Sequence, residues 1–306
     1  MAPSLRMTTT STPDGLLLVD KPAGVSSHDV VLVVRRAIGE RRVGHAGTLD
    51  PFATGLLVLL AGRATRLLPY LPGDPKIYDA TIVFGAETDT GDLLGEVSAR
   101  ATLPARAAVN AALASVTGEL LHTPPAYSAK RVGGRRAYAL ARRGHAVELA
   151  PVRVRVDSWQ ITAWEGTDDA VVSCDARVTC SGGPYVRTLA RDLARAAGSA
   201  GHLRALRRVR SGPFDVADAV TLDGVRAGAA TLRPALDALP DVPRQTLSPD
   251  ELRAVVRGID VPAIVAGERA ALLNPENGVL VAVGERRDDR WQPRVVMRPA
   301  ETEGAA

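Results

Sequence analysis

The 306-residue sequence can bury one large core, or one core and a small second domain, because 46% of its residues are hydrophobic. Its 38 basic and 34 acidic residues give a net charge of only +4, which is compatible with a polyanionic partner but does not require one. Cys174 and Cys180 are the two cysteines, and they lack C-x-x-C spacing, so the sequence supports neither a disulfide framework nor a zinc site.

Export and membrane insertion are not expected. Residues 1–14 are small and polar and are predicted to form a disordered tail. The longest apolar run, residues 56–61, is too short to cross a bilayer. We therefore predict a cytoplasmic protein without membrane association.

The predicted elements do not alternate regularly between strand and helix. The first half contains, in chain order, a strand over 16–20, a helix opened by a capping box and ending at 38, extended segments over 43–46, 56–61 and 77–84, and a helix over 104–116. The second half contains a helix over 136–143, long strands over 152–164 and 170–180, and helices over 188–197 and 200–208. This order predicts an α+β fold with a mixed, largely antiparallel sheet and flanking helices.

A second domain is predicted after a proline-spaced linker over 239–249. Residues from 250 onward contain a helical segment followed by short β-type pieces, including 279–283 and 294–297. We place the domain boundary at 240, with a β-rich domain over 241–306.

The lysines are unusual because only three of the 38 basic residues are lysines, namely Lys21, Lys76 and Lys130. A surviving lysine indicates a site that needs a compact ammonium rather than a planar guanidinium. The alternative is chance survival of surface lysines.

The most informative segment is residues 44–55, which read G-H-A-G-T-L-D-P-F-A-T-G. From local pattern alone, Asp50 is a natural helix N-cap with Pro51 at the first helical position. The whole string, however, closely resembles the signature of the TruB family of pseudouridine synthases, whose aspartate is catalytic. The resemblance assigns that role to Asp50.

Further matches follow in family order. They are residues 19–27 (V-D-K-P-A-G-V-S-S), 76–78 (K-I-Y), 124–130 (P-P-A-Y-S-A-K), 183–189 (G-P-Y-V-R-T-L) and 206–208 (L-R-R). Val116 departs from the phenylalanine that members often carry before Thr-Gly, which puts no catalytic residue in doubt. The resemblance implies a catalytic domain over 15–240 and a PUA-like RNA-binding domain after it.

The implied reaction converts the T-loop uridine at position 55 of tRNA to pseudouridine. The enzyme breaks the N1–C1′ bond, turns the base and rejoins it through C5, without cofactor or metal. A carboxylate can attack C1′ or remove the C2′ proton, and the sequence leaves both mechanisms open.

The resemblance also implies roles around Asp50. Arg187 would pair with it, since a buried carboxylate stays ionised beside a guanidinium. Tyr78 would stack on the extruded uracil, and Tyr185 would line the pocket and accept the C5 proton. The remaining predicted substrate contacts are His45, which would enter the T loop, Leu206 and Lys21.

A row of arginines is predicted to bind RNA phosphates. Arg187, Arg191 and Arg195 recur every four residues, and Arg204, Arg207, Arg208 and Arg210 follow. For any single arginine, a solvated helix face with acidic partners is the alternative. Glu87, Asp89 and Asp92 are interpreted as a solvated acidic turn, not a cation loop.

Two other functions remain as alternatives. One is a guide-RNA-dependent synthase of the dyskerin class, which shares the aspartate motif, and the other is an RNA-folding chaperone without chemistry. The short C-terminal domain and the A-T-G at 53–55 favour a stand-alone enzyme that acts on the T arm of tRNA. We expect a monomer without an obligate protein partner.

Overall fold

A computed structural model describes residues 13–125, 127, 131–132, 135–136 and 149–297. Its strands up to residue 211 are β1 (Gly15–Lys21), β2 (Val43–Ala46), β3 (Thr54–Ala61), β4 (Lys76–Phe84), β5 (Ala86–Thr88), β6 (Val97–Arg100), β7 (Gly118–His122), β8 (Arg131–Val132), β9 (Arg135–Arg136), β10 (Val152–Gly166), β11 (Val171–Cys180) and β12 (Gly201–Ser211). The later strands are β13 (Phe214–Asp215), β14 (Val220–Thr221), β15 (Arg244–Thr246), β16 (Val261–Pro262), β17 (Arg269–Leu273), β18 (Leu280–Arg287) and β19 (Arg290–Val296). The described α-helices are α1 (Ser27–Ile38), α2 (Arg106–Ala112), α3 (Val186–Ala196), α4 (Leu222–Arg226) and α5 (Pro249–Val256), and 3-10 turns cover Gly62–Tyr70, Leu113–Val116, Val216–Asp218 and Ala235–Ala238.

Ten strands form one mixed sheet in the order β14-β1-β3-β12-β4-β11-β10-β7, with β2 added on β3 and β13 on β12. Among the described strand pairs of this sheet, only β1–β14 and β3–β12 are parallel. The predicted α+β class with a largely antiparallel sheet is therefore confirmed.

The element ends follow local chemistry. Helix α1 begins with a full capping box between Ser26 and Asp29 and ends at Gly39, which adopts a left-handed φ of 68°. Strand β3 is buried along nearly its whole length, because β1 and β2 pair with it and hydrophobic clusters cover its side chains. Strand β4 instead alternates, with Tyr78 and every second residue after it buried.

The predicted helix over 200–208 is wrong, because residues 201–208 lie in β12, between β3 and β4. Register shifts occur between Leu203 and Ala205 and between Arg208 and Arg210. Such irregularities break the two-residue alternation that marks a strand. Leucine, arginine and alanine also favour helix, so the tertiary pairing overrides the local preference.

Two other predictions need correction. Residues 51–52 are bends that lead into β3, so Asp50 does not cap a helix. The predicted linker over 239–249 contains β15, which pairs with β17. The predicted helix over 136–143 falls outside the described residues except for Arg136 in β9, and the predicted tail is described only at Pro13 and Asp14.

The five strands β15-β17-β18-β19-β16 form a second sheet, so residues 244–297 build a β-rich C-terminal unit. Leu273, Leu280 and Met297 of this unit share a buried cluster with Leu16 and Leu56 of the first sheet. The two sheets thus pack through a common apolar layer. No helix of the described residues is long and apolar enough to cross a membrane.

Candidate active site

A cavity of about 780 Å³ lies beside the loop that joins β2 to β3. Five of the residues predicted from the resemblance line it, namely His45, Asp50, Tyr78, Tyr185 and Leu206. The cavity wall also includes Lys76, one of the three lysines predicted to mark a site, and Arg208, which belongs to the arginine row predicted to bind RNA phosphates. The fold thus brings most of the predicted site together.

The loop that carries Asp50 is held at several backbone positions. The Ser27 hydroxyl of α1 accepts from the Leu49 amide at 2.9 Å and donates to the Leu49 carbonyl at 3.0 Å. The Gly24 amide donates to the Pro51 carbonyl at 2.8 Å. These bonds fix the backbone on both sides of Asp50, which favours a preorganised carboxylate.

The motif glycine at 55 is explained by the close approach of two paired parallel strands, β3 and β12. Gly55 adopts a φ of 98°, and a Cβ on it would lie 2.3 Å from the Arg208 carbonyl oxygen of β12. Any larger residue would push β3 away from β12 and shift the Asp50 loop.

Asp50 forms a bidentate pair with Arg187 of α3. Arg187 Nε lies 2.9 Å from one carboxylate oxygen and Nη2 lies 3.2 Å from the other. The Arg187 side chain is only 4% exposed, whereas Asp50 is 32% exposed toward the cavity. Burial raises the pKa of Asp50, and the Arg187 guanidinium opposes this shift. The arrangement leaves a fixed carboxylate open to a ligand on one side.

Arg187 is itself fixed by three further groups. Its Nη1 donates to the Thr90 carbonyl at 2.6 Å and its Nη2 to the Tyr127 carbonyl at 2.8 Å. The Asp92 carboxylate lies 3.8 Å from Nη1. Thus the segment after β5 and residue 127 hold the arginine against Asp50.

The turn of Glu87, Asp89 and Asp92 is therefore only partly solvated, whereas the sequence predicted a solvated acidic turn. Asp92 and Glu87 are buried, and only Asp89 is exposed. Glu87 accepts two hydrogen bonds from Arg195, at 2.7 and 2.6 Å. The turn pairs with arginines of α3 instead of facing water.

Tyr78 and Leu206 form the apolar side of the cavity. Both are 7% exposed and belong to the buried cluster under the sheet. Leu206 lies on a strand, not on a helix as predicted. Burial raises the pKa of the Tyr78 hydroxyl, and the nearby Arg208 charge opposes this shift. An aromatic ring thus borders the same cavity as the carboxylate.

Tyr185 precedes α3 and lies beside His122 of β7. Its amide donates to His122 Nε2 at 2.9 Å, and the two rings are stacked with centroids 6.0 Å apart. The bond to the amide makes Nε2 the acceptor nitrogen of His122. This contact orients the start of α3, which carries Arg187 two residues after the tyrosine.

His45 lies on β2, and its ring borders the cavity. Burial lowers the pKa of His45, and the Arg208 charge lowers it further. Its buried Nδ1 has no hydrogen-bond partner among the described residues. A neutral imidazole with a spare polar atom is therefore present at the cavity.

Lys21 does not line the cavity. Its side chain is fully buried, and its ammonium donates to the carbonyls of Pro22, Val25 and Pro51 at 3.0, 2.8 and 3.3 Å. Burial lowers the pKa of Lys21 to about 8. The contacts fit a role in positioning the Asp50 loop, while the predicted substrate contact has no support in this geometry. Lys130 lies outside the described residues.

Six of the seven arginines predicted to bind phosphates pair with an acidic residue or are buried, whereas Arg210 is exposed and donates to the Gly212 carbonyl at 3.0 Å. Arg191 pairs with Asp192, Arg195 with Glu87, Arg204 with Glu165 and Arg207 with Asp20. Arg187 and Arg208 are buried rather than on a solvated face. Binding of RNA phosphates by Arg191, Arg195, Arg204 and Arg207 stays a prediction.

Metal ligands do not cluster in the part of the chain that the structure describes, where no group of three His, Cys, Asp or Glu side chains is arranged to hold an ion. Cys174 and Cys180 are buried free thiols, and burial raises the pKa of each to about 12. Neither cysteine lines the cavity.

The chain matches two family models. Residues 35–186 match the TruB family pseudouridylate synthase N-terminal domain, and residues 187–261 match the tRNA pseudouridylate synthase B C-terminal domain. Similar curated proteins include tRNA pseudouridine synthase B of Thermobifida fusca, which is 47% identical over 92% of this chain and 98% of its own length. The Mycobacterium tuberculosis protein of the same name is 40% identical over 95% of this chain and 98% of its own length.

Solved structures show the same fold at lower identity. A chain from a Cbf5–Nop10–Gar1 complex has a TM-score of 0.67 and 23% identity, covering 93% of this chain and 85% of its own. A chain from an H/ACA RNP bound to a substrate RNA has a TM-score of 0.66 and 21% identity, with the same coverage. With both family models and near-full-length relatives in agreement, the chain belongs to the TruB family of pseudouridine synthases.

Proposed function

We propose that this protein converts the T-loop uridine at position 55 of tRNA to pseudouridine, with Asp50 as the catalytic carboxylate. It acts in the cytoplasm as a monomer, without a guide RNA, a cofactor or an obligate protein partner. The observation that carries the proposal is the bidentate pair between Asp50 and a nearly fully buried Arg187 at the wall of the cavity. The names of the curated relatives support tRNA as the substrate class.

The geometry suits glycosidic chemistry at C1′. Arg187 occupies both oxygens of Asp50 from one side, so the carboxylate is held ionised and oriented toward the cavity. From there it attacks C1′ or removes the C2′ proton, and in either case the base detaches while it remains in the pocket. Tyr78 stacks on the extruded uracil, which turns before C5 bonds to C1′. Tyr185 accepts the C5 proton.

The test uses purified protein and one T-arm stem-loop transcript. We expect pseudouridine at the target uridine with protein and buffer alone, detected by chemical mapping or mass spectrometry after carbodiimide labelling. A transcript with cytidine at that position is the matched control and should stay unmodified. If modification required a guide RNA or a protein partner, the stand-alone assignment would be wrong.

Metal independence is a separate prediction. Because no ligand cluster is found among the described side chains, we expect turnover to survive EDTA. The transcript must stay folded without divalent ions, which monovalent salt ensures and a melting curve checks. Loss of turnover on chelation, restored by one divalent ion, contradicts this prediction.

The Tyr78 ring is expected to capture the extruded base. Tyr78→Ala should slow single-turnover conversion by about 5- to 150-fold, because stacking is worth about 1 to 3 kcal/mol per base. Tyr78→Phe keeps the ring and should retain much more activity. Rates at saturating enzyme separate this effect from weaker binding, and a melting curve of each variant checks folding. Equal, severe defects in both variants would assign the essential role to the hydroxyl.

A further inference from the structure

Lys76 is a cation at the cavity wall that forms no ion pair with any described residue. It is the first residue of β4, and its side chain is half-buried. It forms no hydrogen bond or ion pair through its ammonium with any described residue. The acidic residue that acts on it, Asp74, accepts a hydrogen bond from the Gly182 amide instead. The Lys76 charge is therefore left facing the cavity.

Arg208 adds a second uncompensated charge beside it. Its side chain is 1% exposed, and its Nε and Nη2 donate to the Leu56 and Gly47 carbonyls at 2.8 and 2.9 Å. It forms no ion pair with a described carboxylate. Both Arg208 Nη1 and Lys76 Nζ lie 3.3 Å from the point that a Cβ on Gly47 would occupy, so they are at most twice that distance apart.

The other arginines of this region differ from Arg208. Arg187, Arg195 and Arg207 each donate to both oxygens of one carboxylate. Burial lowers the pKa of Lys76, and the Arg208 charge lowers it further. A half-buried and a buried cation this close to each other repel, and an anion that enters the cavity relieves the repulsion.

Two glycines, which have no side chains, leave the Lys76 ammonium accessible from the cavity. A Cβ on Gly47 or on Gly182 would lie 3.3 Å from Lys76 Nζ, so side chains at these two positions would fill the space around it. Both glycines border the cavity. A compact ammonium with three rotatable donors suits a phosphate that approaches through such a gap.

We propose that Lys76 and Arg208 form a phosphate subsite, in which Lys76 binds one phosphate of the RNA next to the extruded nucleotide and Arg208 contributes its charge from behind. The proposal rests on the proposed function, because the phosphate belongs to the RNA substrate. It assigns a role to one of the three lysines of the chain. It also assigns binding of the RNA backbone to residues other than Asp50, which carries the chemistry.

The first test measures the salt dependence of binding. The Asp50→Asn protein, which should not turn over, is titrated with the T-arm stem-loop at a series of KCl concentrations. Adding Lys76→Met should lower the log–log slope by about 0.7 to 0.9, the value for one phosphate contact. Arg226→Met, which removes an exposed charge on α4, is the matched control and should leave the slope unchanged. An unchanged slope in Lys76→Met overturns the proposal and favours a contact with the base.

The second test identifies the phosphate. Methylphosphonates replace the phosphates that flank the target uridine, one at a time. One replacement should weaken binding to the Asp50→Asn protein but not weaken it further when Lys76→Met is present. Additive losses at every position overturn the proposal. Pseudouridine formation by the unmodified protein is scored separately, so failure of the proposed function and failure of the phosphate subsite give different results.

Discussion

Replacing Asp50 by asparagine is expected to lower turnover by about a thousandfold or more while the protein still binds the T-arm stem-loop. Asparagine keeps the shape of the side chain but can neither attack C1′ nor take a proton, and such a group contributes about 10²- to 10⁴-fold as a general base. Single-turnover conversion and binding titrations measure the two effects separately.

The stability of this variant should change little. Because burial raises the pKa of Asp50, the folded protein binds the proton of that group more tightly than the unfolded chain. Ionised Asp50 therefore lowers the free energy of unfolding at pH 7, and neutral asparagine removes this cost. Arg187 keeps Asp92 and two backbone carbonyls as partners.

The matched control is Asp223→Asn, which alters an exposed carboxylate outside the cavity wall. It should turn over at the rate of the unmodified protein. Turnover at that same rate by the Asp50 variant would contradict the catalytic assignment. Loss of both turnover and RNA binding would instead indicate that the carboxylate shapes the binding surface.

Much of the fold could be predicted because local signals agree with the tertiary structure. The capping box of Ser26 and Asp29 places the start of α1, and the alternation in β4 predicts its buried face. Strand β12 could not be predicted in the same way. Its leucines and arginines favour helix, and its register shifts conceal the alternation, so only pairing with β3 and β4 makes it a strand.

The candidate site, like the fold, could be predicted from the sequence only in part. Asp50 and Arg187 are 137 residues apart, and no local pattern connects them, so the expectation of their contact depended on family resemblance alone. The four-residue spacing on α3 placed Arg187 with Arg191 on one surface. In the structure, packing of the segment after β5 buries Arg187 and leaves Arg191 partly exposed. The spacing of residues along a helix does not reveal which of its turns is buried by another segment of the chain.

Arg187→Met is expected to cost about 3 kcal/mol in the free energy of unfolding at pH 7 and to abolish turnover. The change leaves Asp50 and the buried Asp92 without their shared cation, and breaking a buried pair from one side typically costs about 3 to 5 kcal/mol. We take the low end because Asp50 is 32% exposed and water screens part of its charge. Urea unfolding measures the loss.

Arg191→Met is the matched control on the same helix. Arg191 pairs with Asp192, and both side chains are about a third exposed, at 32% and 39%. Its loss should cost no more than about 1 kcal/mol, as for other surface pairs. A similar cost in both variants would show that the buried contacts of Arg187 add nothing to stability.

The pH dependence of the free energy of unfolding tests whether loss of the Arg187 charge causes the lower stability of Arg187→Met. Arg187 opposes the rise in the pKa of Asp50, so in Arg187→Met this pKa should rise further. As pH falls through that raised pKa, Asp50 takes up a proton in the folded variant before it does so in the unfolded chain, and the penalty disappears. The stability difference between the unmodified protein and Arg187→Met should therefore shrink toward acid pH.

Arg187→Lys keeps the positive charge but not the two parallel donors, so it should recover part of the stability while its turnover remains low. A stability difference that stays constant with pH would attribute the loss to packing of the arginine stem, and turnover in Arg187→Lys close to that of the unmodified protein would show that charge alone is sufficient to prepare Asp50.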